Sequence, residues 1–270
     1  MCQDTHRRSP APNLPPPLKW AGGKRWQVPH IARLWAVRPG CRLVEPFCGG
    51  LSVALGLAPR HALLNDINPH LINFYRWVKR GLELDVPFEN SETAFYGNRA
   101  RFNALLRGGH PRTREAAALF YYLNRTGYNG LCRFNRSGEF NVPFGRYGRL
   151  NYARDFRPYR QVMAGWTFTV GDFERLPLRD DDFVYADPPY DVPFTNYARQ
   201  GFSWHDQLRA ARWLSRHPGP VVLVNQATER ICDLYRETGF RVAYLTAPRR
   251  ISCTGDRTPA REVLATRNID

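Results

Sequence analysis

The chain has 270 residues, 43% of them hydrophobic and 23% charged, enough apolar material for a substantial core and a balance that excludes overall disorder. Its 39 Lys and Arg against 24 Asp and Glu give +15 at pH 7, a surface that favours a polyanion. Nucleic acid ranks ahead of membrane, because no basic amphipathic helix stands out.

Six cysteines (Cys2, Cys41, Cys48, Cys132, Cys232, Cys253) form no C-x-x-C pair and share no metal-ligand spacing with histidine. Reduced thiols, mostly filling the core of a cytoplasmic protein, are expected, with no metal. No apolar run approaches membrane-spanning length, and "MCQDTHRRSPAPNLPPP" lacks a signal-peptide core. Its prolines and polar residues predict a disordered leader over 1–17.

"KRWQVPHIARLWAV" spaces Ile31, Leu34 and Trp35 along one helical face, with Gly40 beyond its end. "RLVEPF" reads as a strand running into the glycine turn "CGGLS", and "LSVALGLA" as a short apolar helix. "HALLND" is a second strand ending at Asp66. Asn68 can then cap a helix with Pro69 in its first turn and Leu71, Ile72, Phe74, Tyr75 and Val78 as its buried stripe. Strand, glycine turn, helix, strand, acid is the order of a nucleotide-binding βαβ unit.

A long excursion follows Arg80. Its clearest helix is "AALFYYLNR", flanked by Gly-, Asn- and Arg-rich loops. Between Arg99 and Arg160 lie 13 arginines against Glu115, Glu139 and Asp155, a local excess of ten positive charges. Tyr128, Phe134, Phe140, Phe144, Tyr147 and Tyr152 are interleaved with them, a mix suited to phosphate contact and base stacking. From about Gly165 the alternation resumes. "WTFTV" leads to Gly171-Asp172, "DFVYA" to Asp187, and "PVVLVN" is a third strand, with helices "HDQLRAARWL" and "ATERICDLYRETG". "FRVAYLT" and "EVLAT" read as an antiparallel pair closing the sheet edge. The expected architecture is an α/β sheet built from 18–80 and 165–270, with an inserted, mainly helical and loop domain over 81–164. Ligands of open α/β sheets sit beyond the carboxyl ends of strands, where Glu45, Gly49, Asp66, Asp172 and Asp187 fall.

Three motifs carry chemistry. "EPFCGGLS" lets the backbone approach a ligand at Gly49 and Gly50 but lacks the G-x-G-x-x-G phosphate fingerprint, and "WAGGKR" lacks the spacing of a P-loop. An adenosine ligand without phosphates fits better, with Asp66, 17 residues after Gly49, on the ribose. An Asx turn before the next helix explains the same acid locally. In "DPPY" a carboxylate and a rigid carbonyl can each accept one N–H of an exocyclic amine as that nitrogen becomes tetrahedral, and the tyrosine can stack on the base. A proline-stopped strand is the plain alternative for that turn.

"LKWAGGK", "LVEPFCGG", "LLNDINPHLINFY" and "DPPY", in that order, resemble the N6-adenine DNA methyltransferases of the deoxyadenosine methylase (Dam) type, the D12 class. "NRTGYNGLCRFNRSGEFNVPFGRY" is similar to that family's target-recognition segment, and the likeness extends through "FTNYARQGFSWHDQ" and "RRISCTGDRTP". The resemblance implies a Rossmann-like sheet, S-adenosylmethionine (SAM) as methyl donor, and double-stranded DNA as substrate, with GATC as the suggested site. It implies that Trp20 and Lys24 hold the amino-acid end of SAM, that Phe47 and Gly49 line it, and that Asp66 and Asp172 meet its ribose and adenine. Asp187, also at the cofactor, would grip the flipped adenine with Pro188, Pro189 and Tyr190. Tyr128, Asn129, Leu131, Arg133 and Pro143 match positions that touch or wedge into DNA, and Arg146 matches a phosphate contact. Leu51 stands where the family's F-x-G-x-G has its second glycine. A monomer or weak dimer is expected. An N4-cytosine methyltransferase, or a non-catalytic DNA-binding protein on the same fold, are the alternatives; host marking, restriction protection and phage service are all open roles.

Overall fold

The structure is a computed structural model that describes residues 14–38, 40–191, 202–247 and 260–269. The stretch "RRISCTGDRTP", the first eight residues of "FTNYARQGFSWHDQ", Cys2, Cys253 and most of the expected leader lie outside the described residues. In chain order the elements are α1 (Val28–Trp35), β1 (Leu43–Glu45), α2 (Ser52–Leu57), β2 (Ala62–Asp66) and α3 (Pro69–Arg80). Then come α4 (Glu92–Arg107), α5 (Arg114–Thr126), α6 (Arg157–Val162), β3 (Trp166–Val170) and β4 (Phe183–Ala186). The chain finishes with α7 (Trp204–Ser215), β5 (Val221–Gln226), α8 (Glu229–Glu237), β6 (Arg241–Ala247) and β7 (Ala260–Arg267). Among the described residues no helix is long and apolar enough to cross a membrane.

The chain divides into two compact units. The first, within 24–49, 59–72 and 166–269, holds a seven-stranded sheet of order β3-β2-β1-β4-β5-β7-β6. β1 to β5 are parallel, and β7 runs antiparallel to both β5 and β6. The fold is therefore a mixed α/β, Rossmann-like sheet. The tail pair does close the edge, but β7 lies inside β6, paired to β5 over six residues. Every residue of β1 and β4, and nearly all of β5, is buried, as parallel strands covered on both faces must be. Val44, Val184, Leu223 and Val263 from the sheet share one apolar cluster with Leu214 of α7 and Ile231 of α8. From β1 the chain passes outward through β2 to β3, then re-enters on the other side of β1 as β4. The carboxyl ends of β1 and β4 thus form the switch point at which such sheets bind ligands.

The second unit comprises described residues 14–23, 50–58 and 73–165. Its central helix is α5, buried from Ala116 through Asn124 and capped by Thr113, whose hydroxyl accepts from Ala116 N at 3.1 Å. Its core is aromatic: Phe74 stacks on Tyr121 at 5.2 Å, Phe156 meets Tyr121 edge-on at 5.2 Å, and Phe102 packs 6.3 Å from Phe120. The last residues of the expected leader, 14–17, are described and belong to this unit. Pro17 and Leu18 are buried, and the Tyr159 hydroxyl donates to Pro15 O at 2.7 Å. Lys19 N donates to Asn124 Oδ1 and Asn124 Nδ2 to Lys19 O, both at 2.8 Å, which fixes this segment to α5. Of the four described cysteines, Cys48 and Cys232 are buried, while Cys41 and Cys132 are half-buried.

Candidate active site

The buried strand β4 delivers Asp187 to the switch point. The Lys24 ammonium, itself buried, lies 3.2 Å from Asp187 Oδ2 and 4.5 Å from the centre of the Tyr190 ring. Burial pushes the Asp187 carboxyl up to about 6; the Lys24 charge opposes the rise, and Glu262 adds to it. Asp187 Oδ1 and Tyr190 Oη are buried, and neither makes a well-formed hydrogen bond to a described residue, although the Tyr190 phenol faces the Asp187 and Glu262 carboxylates. A polar atom left so is costly unless a ligand completes it. Burial also holds the Tyr190 phenol well above its usual range, so it stays protonated.

The turn is gripped from behind. Gln207 Nε2 donates to Pro189 O at 2.8 Å, Asn225 Nδ2 donates to Gln207 Oε1 at 3.1 Å, and Asp191 N donates to Asn225 Oδ1 at 3.2 Å. Arg230 forms an ion pair with Asp191. The Pro189 carbonyl is thereby committed, whereas no described donor reaches that of Pro188. Neither proline has an N–H that could compete for an acceptor.

At the ends of β2 and β3 the acids are already engaged. Asp66 accepts from Gly49 N at 3.1 Å and from Asn68 N at 2.9 Å. The Asx turn is thus present, and each oxygen keeps lone-pair capacity for a hydroxyl. Burial raises the Asp66 carboxyl even though these amides pull it down. Asn65 ties β2 to the ends of β1 and β3: its Nδ2 donates to Pro46 O and Gly171 O, both at 3.0 Å, and its Oδ1 accepts from Thr169 at 2.9 Å. Asp172 accepts from Glu174 N at 3.0 Å and from Arg209 Nη2 at 2.9 and 3.0 Å. Burial would raise its carboxyl, but these donors outweigh it and the net shift is downward. Phe47 packs against Phe173 at 5.2 Å and Phe202 at 5.5 Å. Ile67, one residue past Asp66, is 73% exposed, and Val170, paired in register with Asp66, is 42% exposed. These two exposed apolar side chains flank the carboxylate that ends β2.

The remaining predicted residues lie in the other unit. Trp20 is half-buried there, and its Cβ would sit 2.9 Å from a Cβ placed on Gly50, which accounts for that glycine. Leu51 has φ 60 and ψ 27 and is fully buried. The family's usual glycine position does carry a left-handed backbone here, and a leucine takes it at a strain of roughly 1–2 kcal/mol. Tyr128 is 50% exposed, so it is not a core residue. Its N–H donates to Pro143 O at 2.9 Å, which places those two predicted residues side by side. Asn129 is exposed with φ 51, and Leu131 is half-buried. Arg133 is exposed, donating from Nε and Nη2 to Asn141 at 2.8 and 3.0 Å, which leaves its Nη1 edge without a described acceptor. Arg146 has a 75% exposed side chain and φ 50, and pairs with Glu92 at 3.1 Å.

Sequence reasoning missed Gln27, Asn65, Gln207, Arg209, Asn225 and Glu262. Asn65 had a signal, a buried-strand amide directly before Asp66. The others act across long sequence separations that local pattern does not encode.

A Rossmann-like sheet with a glycine turn and acid-ended strands beside a desolvated carboxylate defines an enzyme class that takes a nucleoside-type cofactor. Residues 20–251 match the D12 class N6 adenine-specific DNA methyltransferases, and the chain belongs to that family. It is 36% identical to the Retron Ec67 DNA adenine methylase of Escherichia coli, over 92% of this chain and 90% of that one. It is 34% identical to the DNA N-6-adenine-methyltransferase of Escherichia phage P1, over 92% of this chain and 34% of that one. With the DNA adenine methylase of Escherichia coli K12 it shares 35% identity over 92% of this chain and 93% of that one.

Proposed function

We propose that the protein transfers a methyl group from SAM to N6 of an adenine flipped out of duplex DNA, with GATC as the first site to test. The observation that carries this reading is the Lys24–Asp187–Tyr190 cluster, where Asp187 Oδ1 and Tyr190 Oη are buried without a well-formed hydrogen bond to a described residue. SAM supplies an electrophilic methyl on a sulfonium. The residues fit such a cation-bearing adenosine: Asp66 offers acceptors to ribose, Ile67 and Val170 apolar cover to adenine, and Phe47 and Gly49 line the turn between. Asp172 would meet the adenine amine with capacity left over from Arg209. An ammonium has three donors, so Lys24 can hold both Asp187 and the cofactor carboxylate.

N6 of adenine is a poor nucleophile because its lone pair is conjugated into the ring. Asp187 Oδ1 and the Pro188 carbonyl each accept one N6–H, and Pro189 keeps that carbonyl rigid. This draws the lone pair out of the ring and offsets the charge that develops on nitrogen. A carboxylate held near 6 is ionised at neutral pH and accepts a proton more readily than an ordinary aspartate. Tyr190 stacks on the base. Because the duplex buries N6, the target must leave the stack. Tyr128, Asn129, Leu131 and Pro143 would support the opened duplex, Arg133 would read guanine with its remaining N–H edge, and Arg146 would contact phosphate.

The test is incubation of the protein with methyl-labelled SAM and duplexes with or without GATC, followed by digestion to nucleosides. Label in N6-methyladenine, dependent on GATC, is the expected result. Label in N4-methylcytosine would move the assignment to the other exocyclic amine. No label and no SAM binding would leave a DNA-binding protein.

A further inference from the structure

Gln27 is fully buried, and both ends of its amide are used. Its Nε2 donates to Glu262 Oε2 at 2.7 Å, and its Oε1 accepts from the Tyr185 hydroxyl at 2.9 Å. Its backbone N–H donates to Lys24 O at 2.9 Å, closing the 3-10 turn that follows Lys24. One amide therefore joins three segments: the turn after Lys24, strand β4 and strand β7. Tyr185 stands two residues before Asp187, close enough for the two side chains to interact electrostatically. Glu262 is 7% exposed. A buried carboxylate that faces the Gln27 amide and the Tyr190 phenol is an expensive way to fill space that an apolar side chain would fill more cheaply.

We infer that Glu262 and Gln27 are positioning residues for methyl transfer: Glu262 fixes the Gln27 amide, and Gln27 fixes the turn that presents Lys24 to Asp187. The inference rests on the reading of this cluster as the methyl-transfer site. Glu262 does more than a neutral anchor could, because its charge acts on Asp187 from β7. The other groups facing Asp187 are Lys24 from the turn before α1, Tyr185 on β4, Tyr190 in its own loop and Tyr235 on α8. The three tyrosines are all held above their ordinary range by burial and stay neutral, so Lys24 and Glu262 are the charges that oppose each other there.

The experiment compares full-length wild type, Glu262→Gln and Gln27→Met in methyl transfer to duplex DNA across the acid and neutral range, with melting temperatures measured alongside. Glu262→Gln keeps an acceptor for Gln27 but removes the charge, so the acid limb of the rate profile should move to lower pH. Gln27→Met keeps length but cuts both bonds, so kcat should fall about 10- to 100-fold while both KM values change little. An unmoved acid limb in Glu262→Gln together with an unchanged kcat in Gln27→Met would overturn the inference. So would a lowered melting temperature with unchanged turnover per folded molecule, or failure of both variants to fold, since either makes the network a stability element. Absence of adenine methylation by wild type would instead remove the reading beneath it.

Discussion

The Asp187 turn and the Tyr128–Arg146 segment place the same kinds of residue in opposite surroundings. In the turn, Asp187, Lys24 and Tyr190 are drawn out of water, and their surroundings hold them: Gln207 and Asn225 behind, Gln27 and Glu262 at the side. In the segment, Tyr128, Arg133 and Arg146 stand in solvent, oriented by main-chain bonds such as Tyr128 N to Pro143 O and by single polar contacts. Charge stabilisation is worth most where water is excluded and the dipoles are fixed beforehand. Reading a polyanion requires groups that remain exposed until it arrives. A substitution in the turn should therefore strike the chemical step, and one in the segment should strike binding and selection.

The largest expected effect is Asp187→Ala, which should lower methyl transfer about a thousandfold or more while duplex affinity stays within a fewfold. Label transfer and gel shift on the same preparation measure both, and retained turnover would break the contrast. Next is Tyr128→Ala. Loss of an exposed stacking ring costs about 1–3 kcal/mol per base, so roughly 10- to 100-fold in kcat/KM, with an unchanged melting temperature. A fluorescent base analogue at the target position would report the lost extrusion. Arg133→Ala should relax selection at one base pair by about 1–3 kcal/mol, which a panel of singly substituted sites would reveal. Uniform weakening across that panel would reassign Arg133 to the backbone. The acid limb comes fourth. Asp187 offsets positive charge on the amine nitrogen and can take its proton only as the carboxylate, and its pKa is about 6, so transfer should be level above that pH and fall about tenfold per unit below it. The smallest effect is that of Arg146→Ala. Its exposed pair with Glu92 contributes little stability, so melting should not change, while the salt slope of DNA binding should drop by about one.

Much of the sheet unit was legible because its signals are local. Alternation of apolar runs with helical spacing gave every strand of the sheet, and Asn68 caps α3 as its position predicts, accepting from His70 N and Leu71 N. Leu51 is the instructive departure: a leucine there gives no hint of a left-handed backbone, yet the turn keeps that geometry. The end of the expected leader holds contacts that local sequence does not show, for a related reason. Pro15 and Pro17 look like linker, but Tyr159 and Arg125, more than a hundred residues later, hold their carbonyls.

By itself the sequence determined the α/β alternation, the acid-ended strands, the Asp-Pro-Pro-Tyr turn and a basic, aromatic excursion, because each is written in neighbouring residues. Only the tertiary structure decided that β7 enters between β5 and β6 and brings Glu262 to Gln27, 235 residues away. It also decided that Asp172 is shared with Arg209, and that Asp187 is desolvated enough to titrate near 6. Burial and charge proximity depend on which distant segments fold against a residue, and no local pattern records that.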